Sequence, residues 1–391
     1  MQDYLRQWSL LIRSKRGRKL LYAEINKWIY LKAYVRRTGK VEKEKALREA
    51  ASWFLYNQHQ MEDDGFGTFY LFKGWTSSYP ETTGYIIPTL IEFSRISGDS
   101  RFSDSARKGL DWLLSIQKKE GGWQSGYVHQ DRPAIVFNTG QVIRGMISGY
   151  KAFGDERYLI SAVRAGDWLA SIQHPDGYFD RHVYMDAVRV YETYAVAPLC
   201  ELSKLADRPD LAEVALKNAR WVAGKKQHSN GWFPDADNTL HKNSRPILHT
   251  IAYTIDGLLD VALFHKDEDI LISAERPARI LLERFMDTGT LPGRFDSKWS
   301  GSESLITTGC AQMAIIWNKL YGLTGAEEWK KGQKGMNDLL TAIHQRPVHE
   351  TRDTRGAIFG SFPFWGRYEP FGCPNWATKY FMDTLMLEKG D

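Results

Sequence analysis

Three cysteines, Cys200, Cys310 and Cys373, are all that this 391-residue chain contains, an odd and widely spread set. That argues against a disulfide framework and predicts buried free thiols in a reducing, cytoplasmic setting. No His, Cys, Asp or Glu group has a metal-ligand spacing, and no glycine-rich loop runs into a Lys-Ser or Lys-Thr pair. Neither a metal nor a cofactor is therefore expected. Apolar runs in the first forty residues reach only three to five residues, and no small-residue cleavage site follows them. A secretory signal and a bilayer-spanning helix are excluded there.

What the chain does have is aromatics, 13% of its residues, with 14 tryptophans. Four of these open the same pattern, in which a glutamine follows the tryptophan by five residues and a glycine-aromatic pair comes after it. The copies are Trp53…Gln58…Gly65-Phe66, Trp112…Gln117…Gly122-Trp123, Trp168…Gln173…Gly177-Tyr178 and, with lysine at the glutamine position, Trp221…Lys226…Gly231-Trp232. The tryptophans lie 59, 56 and 53 residues apart. One unit long enough for two helices and two connections is being repeated.

Between the copies lie more apolar segments: 81–96, 137–153, 188–205, 246–264, 303–321 and 375–387. Each is apolar on nearly all faces and reads as a helix buried all round, whereas the tryptophan-bearing helices carry one apolar stripe. Six of each predict an all-α fold, an α/α toroid closed from about six helical hairpins over residues 41–391. Closure is preferred to an open stack because the inner helices show no polar face. Repeat arrays of this kind share one ring-shaped core and so exceed the usual size of a single domain.

Residues 1–40 hold eleven Lys or Arg against two acids, and the rest of the chain 41 against 45, so the net charge of +5 comes from the amino terminus. There Arg13, Lys15, Arg16, Arg18, Lys19, Arg36 and Arg37 interleave with Trp8, Leu10, Leu11, Ile12, Trp28 and Ile29. The segment reads as a basic amphipathic helical extension, suited to an anionic membrane surface or a membrane-bound synthesis complex, or else packed under the toroid with its charges solvated. No nucleic-acid fold signature accompanies the charge, and no nucleic-acid partner is expected.

The Trp…Gln…Gly-Trp units resemble the QW-type repeats of the terpenoid cyclase and protein prenyltransferase toroids over about residues 41–388. Segments 79–88, 137–142, 249–253 and 374–381 look closer still to the squalene-oxidase-repeat toroid proteins found with bacterial exopolysaccharide biosynthesis. That resemblance implies a pathway context rather than a reaction. The acid motif of the cyclases is not matched, since Asp235-Ala236-Asp237-Asn238 lacks its last aspartate. Neither a diphosphate-binding Asp-Asp-x-x-Asp nor the zinc-binding Asp-x-Cys of the prenyltransferases is present, which disfavours terpene chemistry.

In a toroid the amino ends of the inner helices gather at one mouth, where free N–H groups and helix dipoles favour negative charge. The candidates for catalysis there are Glu81, Glu192, His249 and Tyr253, the last two lying one turn apart on one face. The candidates for holding substrate are Trp123, Asn138, Gln141, Arg181, Trp232, Asp235, Arg245, Asp296, Arg367, Tyr368 and Asn375. Carboxylates, a histidine, tyrosines, tryptophans and arginines around one cleft suit an acidic oligosaccharide or polysaccharide, guanidinium matching carboxylate in a fork. Plainer roles stand beside these: helix-end charges for Glu81 and Glu192, a cap for Asn138 and core staples for most tryptophans. Three readings follow: glycoside hydrolysis by two carboxyls, uronate lyase or epimerase chemistry through His249 or a tyrosine, and a non-catalytic scaffold that binds a glycan or a partner.

Overall fold

The computed structural model describes residues 2–34, 41–241, 243–345 and 351–390. Ahead of the ring, α1 (Gln2–Arg13) and α2 (Lys15–Tyr34) form a hairpin. From α3 (Lys43–His59) onward, outer and inner helices alternate. The inner helix α4 (Pro80–Ser97) is followed by α5 (Ser100–Ser115) outside, α6 (Val136–Phe153) inside and α7 (Glu156–Ile172) outside. The third inner segment is divided at Pro198 into α8 (Glu192–Val196) and α9 (Pro198–Leu205), and α10 (Pro209–Trp221) lies outside it. Two further pairs are α11 (Leu248–His265) with α12 (Glu268–Thr288) and α13 (Thr307–Thr324) with α14 (Glu327–His344). The last inner helix, α15 (Asn375–Gly390), completes the predicted α/α toroid.

Three of the turns from inner to outer helix, those into α5, α7 and α12, are written in the sequence as aspartate caps. Gly98 and Gly154 end α4 and α6 in the left-handed region, at φ 72° and 67°. The aspartates that follow them, Asp99 and Asp155, accept the backbone N–H of Arg101 and Arg157 and cap the next helix. Asp267 does the same for α12. Such a cap stabilises a helix by about 0.5–2 kcal/mol. Between neighbouring inner helices the backbones nearly touch: a Cβ on Gly145 would come within 2.4 Å of the Gly84 carbonyl oxygen.

The repeated glutamine is a clamp between successive outer helices. Gln117 Nε2 donates to Gly121 O (2.7 Å) and across to Ser161 O (3.0 Å), while its Oε1 accepts from Ser161 Oγ. Gln58 and Gln173 bridge in the same way. In the fourth copy the clamp is Gln227, not Lys226, with bonds to Gly231 O (3.1 Å) and Ser273 O (2.8 Å). A π-helical turn over Val222–Lys226 absorbs one extra residue and moves the register by one. Lys226 instead pairs with Asp235 at 3.0 Å.

The ring closes where α15 meets α4. Asn375 Nδ2 donates to Thr82 Oγ1 (3.0 Å) and Thr89 Oγ1 donates to Asp383 Oδ1 (2.6 Å). Outside this seam Lys43 bridges Asp338 and Glu388 at 2.7 and 2.5 Å. The hairpin packs through Leu11, Leu20, Tyr4 and Trp8 on a small apolar cluster of Phe69, Leu71, Phe364 and Phe371. Glu24, buried in α2, accepts the backbone N–H of Phe364 at 2.9 Å. Residues 35–40, with Arg36 and Arg37, lie outside the described residues.

Candidate functional site

The amino ends of the inner helices surround a cavity of about 450 Å³, within the range of small-molecule sites. Glu81 enters it from the first turn of α4, Asn138 from α6, and His249 and Tyr253 from α11, while Tyr368 comes from the loop before α15. Aromatic rings make most of the remaining wall, among them Tyr79, Phe137, Tyr184, Tyr191 and Trp376. Below lies a floor of tyrosines: Tyr85 and Tyr253 each pack on Tyr380, whose hydroxyl meets that of Tyr194 at 3.1 Å. Arg144 stacks on Tyr194 and Lys379 on Tyr380, and Lys319 bridges Asp256 and Asp260 further along the inner helices.

Burial sets the protonation of its key groups in opposite directions. Desolvation pushes the Glu81 carboxyl up to about 8, against a smaller opposing effect of the Tyr79 hydroxyl. Desolvation also lowers His249 to about 4, although its bond to Gln312 favours the charged form. Nδ1 of that ring lies 2.7 Å from Gln312 Oε1, so the neutral ring donates there and Nε2 carries the free lone pair. A protonated carboxyl and an unprotonated imidazole, on the first and fourth inner helices of six, therefore share one aromatic cavity at pH 7. Pairs pushed apart in this way are the usual signature of an acid and a base.

Glu192 stands behind this wall. It is fully buried at the start of α8, neither carboxyl oxygen has a hydrogen-bond partner among the described residues, and it does not line the cavity, although its neighbour Tyr191 does. Desolvation first, and the charge of Glu81 second, push it up to about 8, with Arg189 opposing. Gln141 is likewise buried with both amide atoms unpaired among the described residues, and Asn375, whose Nδ2 donates to Thr82 across the ring seam, keeps a buried Oδ1 without a partner there. Unmatched polar atoms of this kind are costly to bury and are commonly found around sites built for a polar occupant.

Other sequence candidates are not brought to the cavity. Trp123 and Trp232 are 0% and 4% exposed, and their indole N–H groups donate to Leu113 O and Phe295 O, so both are core staples and offer no face to a sugar. Arg181 donates to Ser171 O outside the cavity wall. Asp235 is held by Lys226, and Arg245 and Asp296 face each other at 3.9 Å, the latter also accepting the N–H groups of Lys298 and Ser300. Arg367 is exposed and does not line the wall, although Tyr368 and Glu369 beside it do. Arg181, Asp235, Arg245 and Asp296 are thus engaged locally, and no arginine or lysine is found among the described residues of the wall.

Sequence reasoning missed Glu369 and Asn238, both of which line the cavity. Glu369 sits at φ 45°, where the loop turns back, and accepts the Tyr70 hydroxyl; burial raises its carboxyl and that bond opposes the shift. Its place next to Tyr368 was the only hint. Asp237, buried, takes the N–H of Thr239 and Leu240 and pairs with Arg294, which fixes the loop that presents Asn238 and Thr239. Among the described residues no group of three or more His, Cys, Asp or Glu is arranged to hold a metal ion. A larger groove of about 1120 Å³ runs outside the ring along α3, lined by ion-pairing side chains such as Lys43 and Arg48, without this convergence.

No family model matches the chain, and no curated protein matches it. Solved structures do. The unsaturated glucuronyl hydrolase of Bacillus sp. GL1, described as responsible for glycosaminoglycan degradation, is similar with a TM-score of 0.70 and 15% identity, over 89% of this chain and 97% of that one. An unsaturated glucuronyl hydrolase specific for heparin gives 0.68 and 16% over the same shares. Cellobiose 2-epimerase of Bacillus thermoamylovorans B4167 gives 0.66 and 11%, over 88% and 98%. At these identities the likeness establishes a shared α/α toroid.

Proposed function

We propose that the chain is a carbohydrate-active enzyme that binds an oligosaccharide in the mouth of the toroid and acts on it by proton transfer between Glu81, as acid, and His249, as base. The observation that carries this reading is the opposite shift of the two groups in one aromatic cavity. In glycoside hydrolysis Glu81 gives its proton to the bridging oxygen as the bond to the anomeric carbon breaks. Water, losing its proton to His249 Nε2, supplies the new bond to that carbon. In the epimerase or lyase variant the same Nε2 removes a carbon-bound proton. The free lone pair held in place by Gln312 favours this second reading.

An acidic sugar fits the charge state rather than the arginines. Below about pH 8 Glu81 is neutral and can hydrogen-bond a sugar without repelling its carboxylate, and the neutral Glu192 behind the wall adds no negative charge. Above it they ionise. A role in bacterial exopolysaccharide biosynthesis is the pathway context that suits such a substrate.

Matched glycans, one bearing a uronate and one its neutral counterpart, separate the possibilities. Turnover is read as new reducing ends and by NMR of the product, and affinity by calorimetry at pH 6.5 and 8.5. The expected result is turnover, with uronate affinity falling at pH 8.5 more than neutral affinity. Glu81→Gln should lower kcat by between about a hundredfold and ten-thousandfold with little change in affinity. Binding without turnover would favour the scaffold, and no binding of either glycan would end the carbohydrate reading.

A further inference from the structure

The outward face of the amino-terminal hairpin is apolar and basic at once. On α2 the residues Leu20, Glu24, Lys27 and Leu31 are buried against the toroid. Tyr22, Ile25 and Ile29, at the spacing of an opposite helical stripe, are 71%, 40% and 56% exposed, and Leu5 and Ile12 of α1 are 60% and 53% exposed. Every described cation on this surface that precedes Leu20 is exposed: Arg6, Arg13, Lys15, Arg16, Arg18 and Lys19. The two acids of α1 and α2 are occupied, Asp3 with Lys73 at 2.5 Å and Glu24 with the Phe364 N–H. No helix among the described residues is long and apolar enough to cross a bilayer.

From this we infer that α1 and α2 are a docking surface for an anionic lipid membrane, with Tyr22, Ile25 and Ile29 entering the interface and the cations of α1 and the start of α2 pairing with headgroups. Charge complementarity selects this occupant. An apolar stripe alone would suit a protein, but a stripe flanked by six exposed cations and no uncommitted acid suits a surface of phosphates. The helix lies along the interface, since its inner face is already packed on Phe69, Leu71, Phe364 and Phe371. The segment it grips continues into Tyr368 and Glu369, so docking sits one layer from the cavity wall.

The test is sedimentation of the full chain with vesicles of phosphatidylcholine alone and of phosphatidylcholine with phosphatidylglycerol, at low and at high salt. The wild type should bind only the anionic vesicles, and high salt should release it. Lys15→Gln, Arg16→Gln and Lys19→Gln together should weaken binding roughly a hundredfold. Ile25→Ser with Ile29→Ser should weaken it with the charges intact, both sets keeping the wild-type Tm because the sites are exposed. Equal binding to neutral vesicles, or none to anionic ones by a folded wild type, would overturn the inference. So would a stable dimer in light scattering that the serine variant dissolves while vesicle binding stays unchanged, which would assign the stripe to a second copy of the chain.

Discussion

Glu192 is buried with both oxygens unpaired among the described residues, and its cost should be visible in the pH dependence of folding. In the unfolded chain Glu81 and Glu192 ionise near 4.5, and in the folded chain near 8. The folded state therefore holds more protons between these values, and stability falls as pH rises through the window. His249 and His344 act oppositely, lowered by burial from 6.5 to about 4, so they add stability as pH climbs from 4 to 6.5. Above 6.5 the histidine contribution is complete and the carboxyls dominate. Urea midpoints should drop between pH 6.5 and 8, and Glu192→Gln should flatten the drop; an unchanged slope would mean that Glu192 is already ionised. Glu81 and His249 were readable because a polar residue in the first turn of an otherwise apolar helix stands out. Trp123 and Trp232 were not, because a loop tryptophan turned inward looks the same in sequence as one turned outward.

For the helices, legibility depended on how strictly the pattern repeats. Inner and outer helices follow from their apolar patterns, and the Gly98-Asp99 and Gly154-Asp155 turns mark where one ends and the next is capped. The π-helical turn at Val222–Lys226 broke that reading, since one inserted residue shifts the clamp from Lys226 to Gln227 without changing the pattern around it. The shifted register has a direct check. Gln227→Ala removes bonds to Gly231 and Ser273 and should cost about 1–3 kcal/mol, whereas Lys226→Ala breaks a partly exposed ion pair worth under about 1 kcal/mol. Denaturant unfolding of the two variants would decide, and the reverse order would restore lysine as the clamp.

Across the whole molecule, the closed ring was legible from the alternation of helix types, but the seat of the hairpin was not. Nothing in residues 1–40 says that Leu11 and Leu20 match Phe364 and Phe371, more than 340 positions away. The pairing has a consequence for truncation. Removing residues 1–34 uncovers that cluster and leaves the Phe364 N–H without Glu24. Exposing large apolar side chains costs on the order of 1.5–3 kcal/mol each. The truncated chain should bind a hydrophobic dye, melt at lower temperature and lose glycan affinity as the Tyr368–Glu369 loop loosens. Unchanged melting and affinity would show the hairpin to be an independent appendage.

The seam between Thr82 and Asn375 joins positions 293 apart, and this governs how the molecule is made. A ribosome delivers α4 ahead of the other inner helices, but its neighbour on that side is the last of the ring's helices to emerge. Until then the growing arc of hairpins carries two unfinished apolar edges, able to meet those of another nascent chain as readily as each other. Joining the ends within one chain carries the entropy of closing a loop of 293 residues, although that cost rises only with the logarithm of length. Final assembly should therefore be a late, single event that depends on α15, and yield during refolding should fall with protein concentration even when the finished ring is stable.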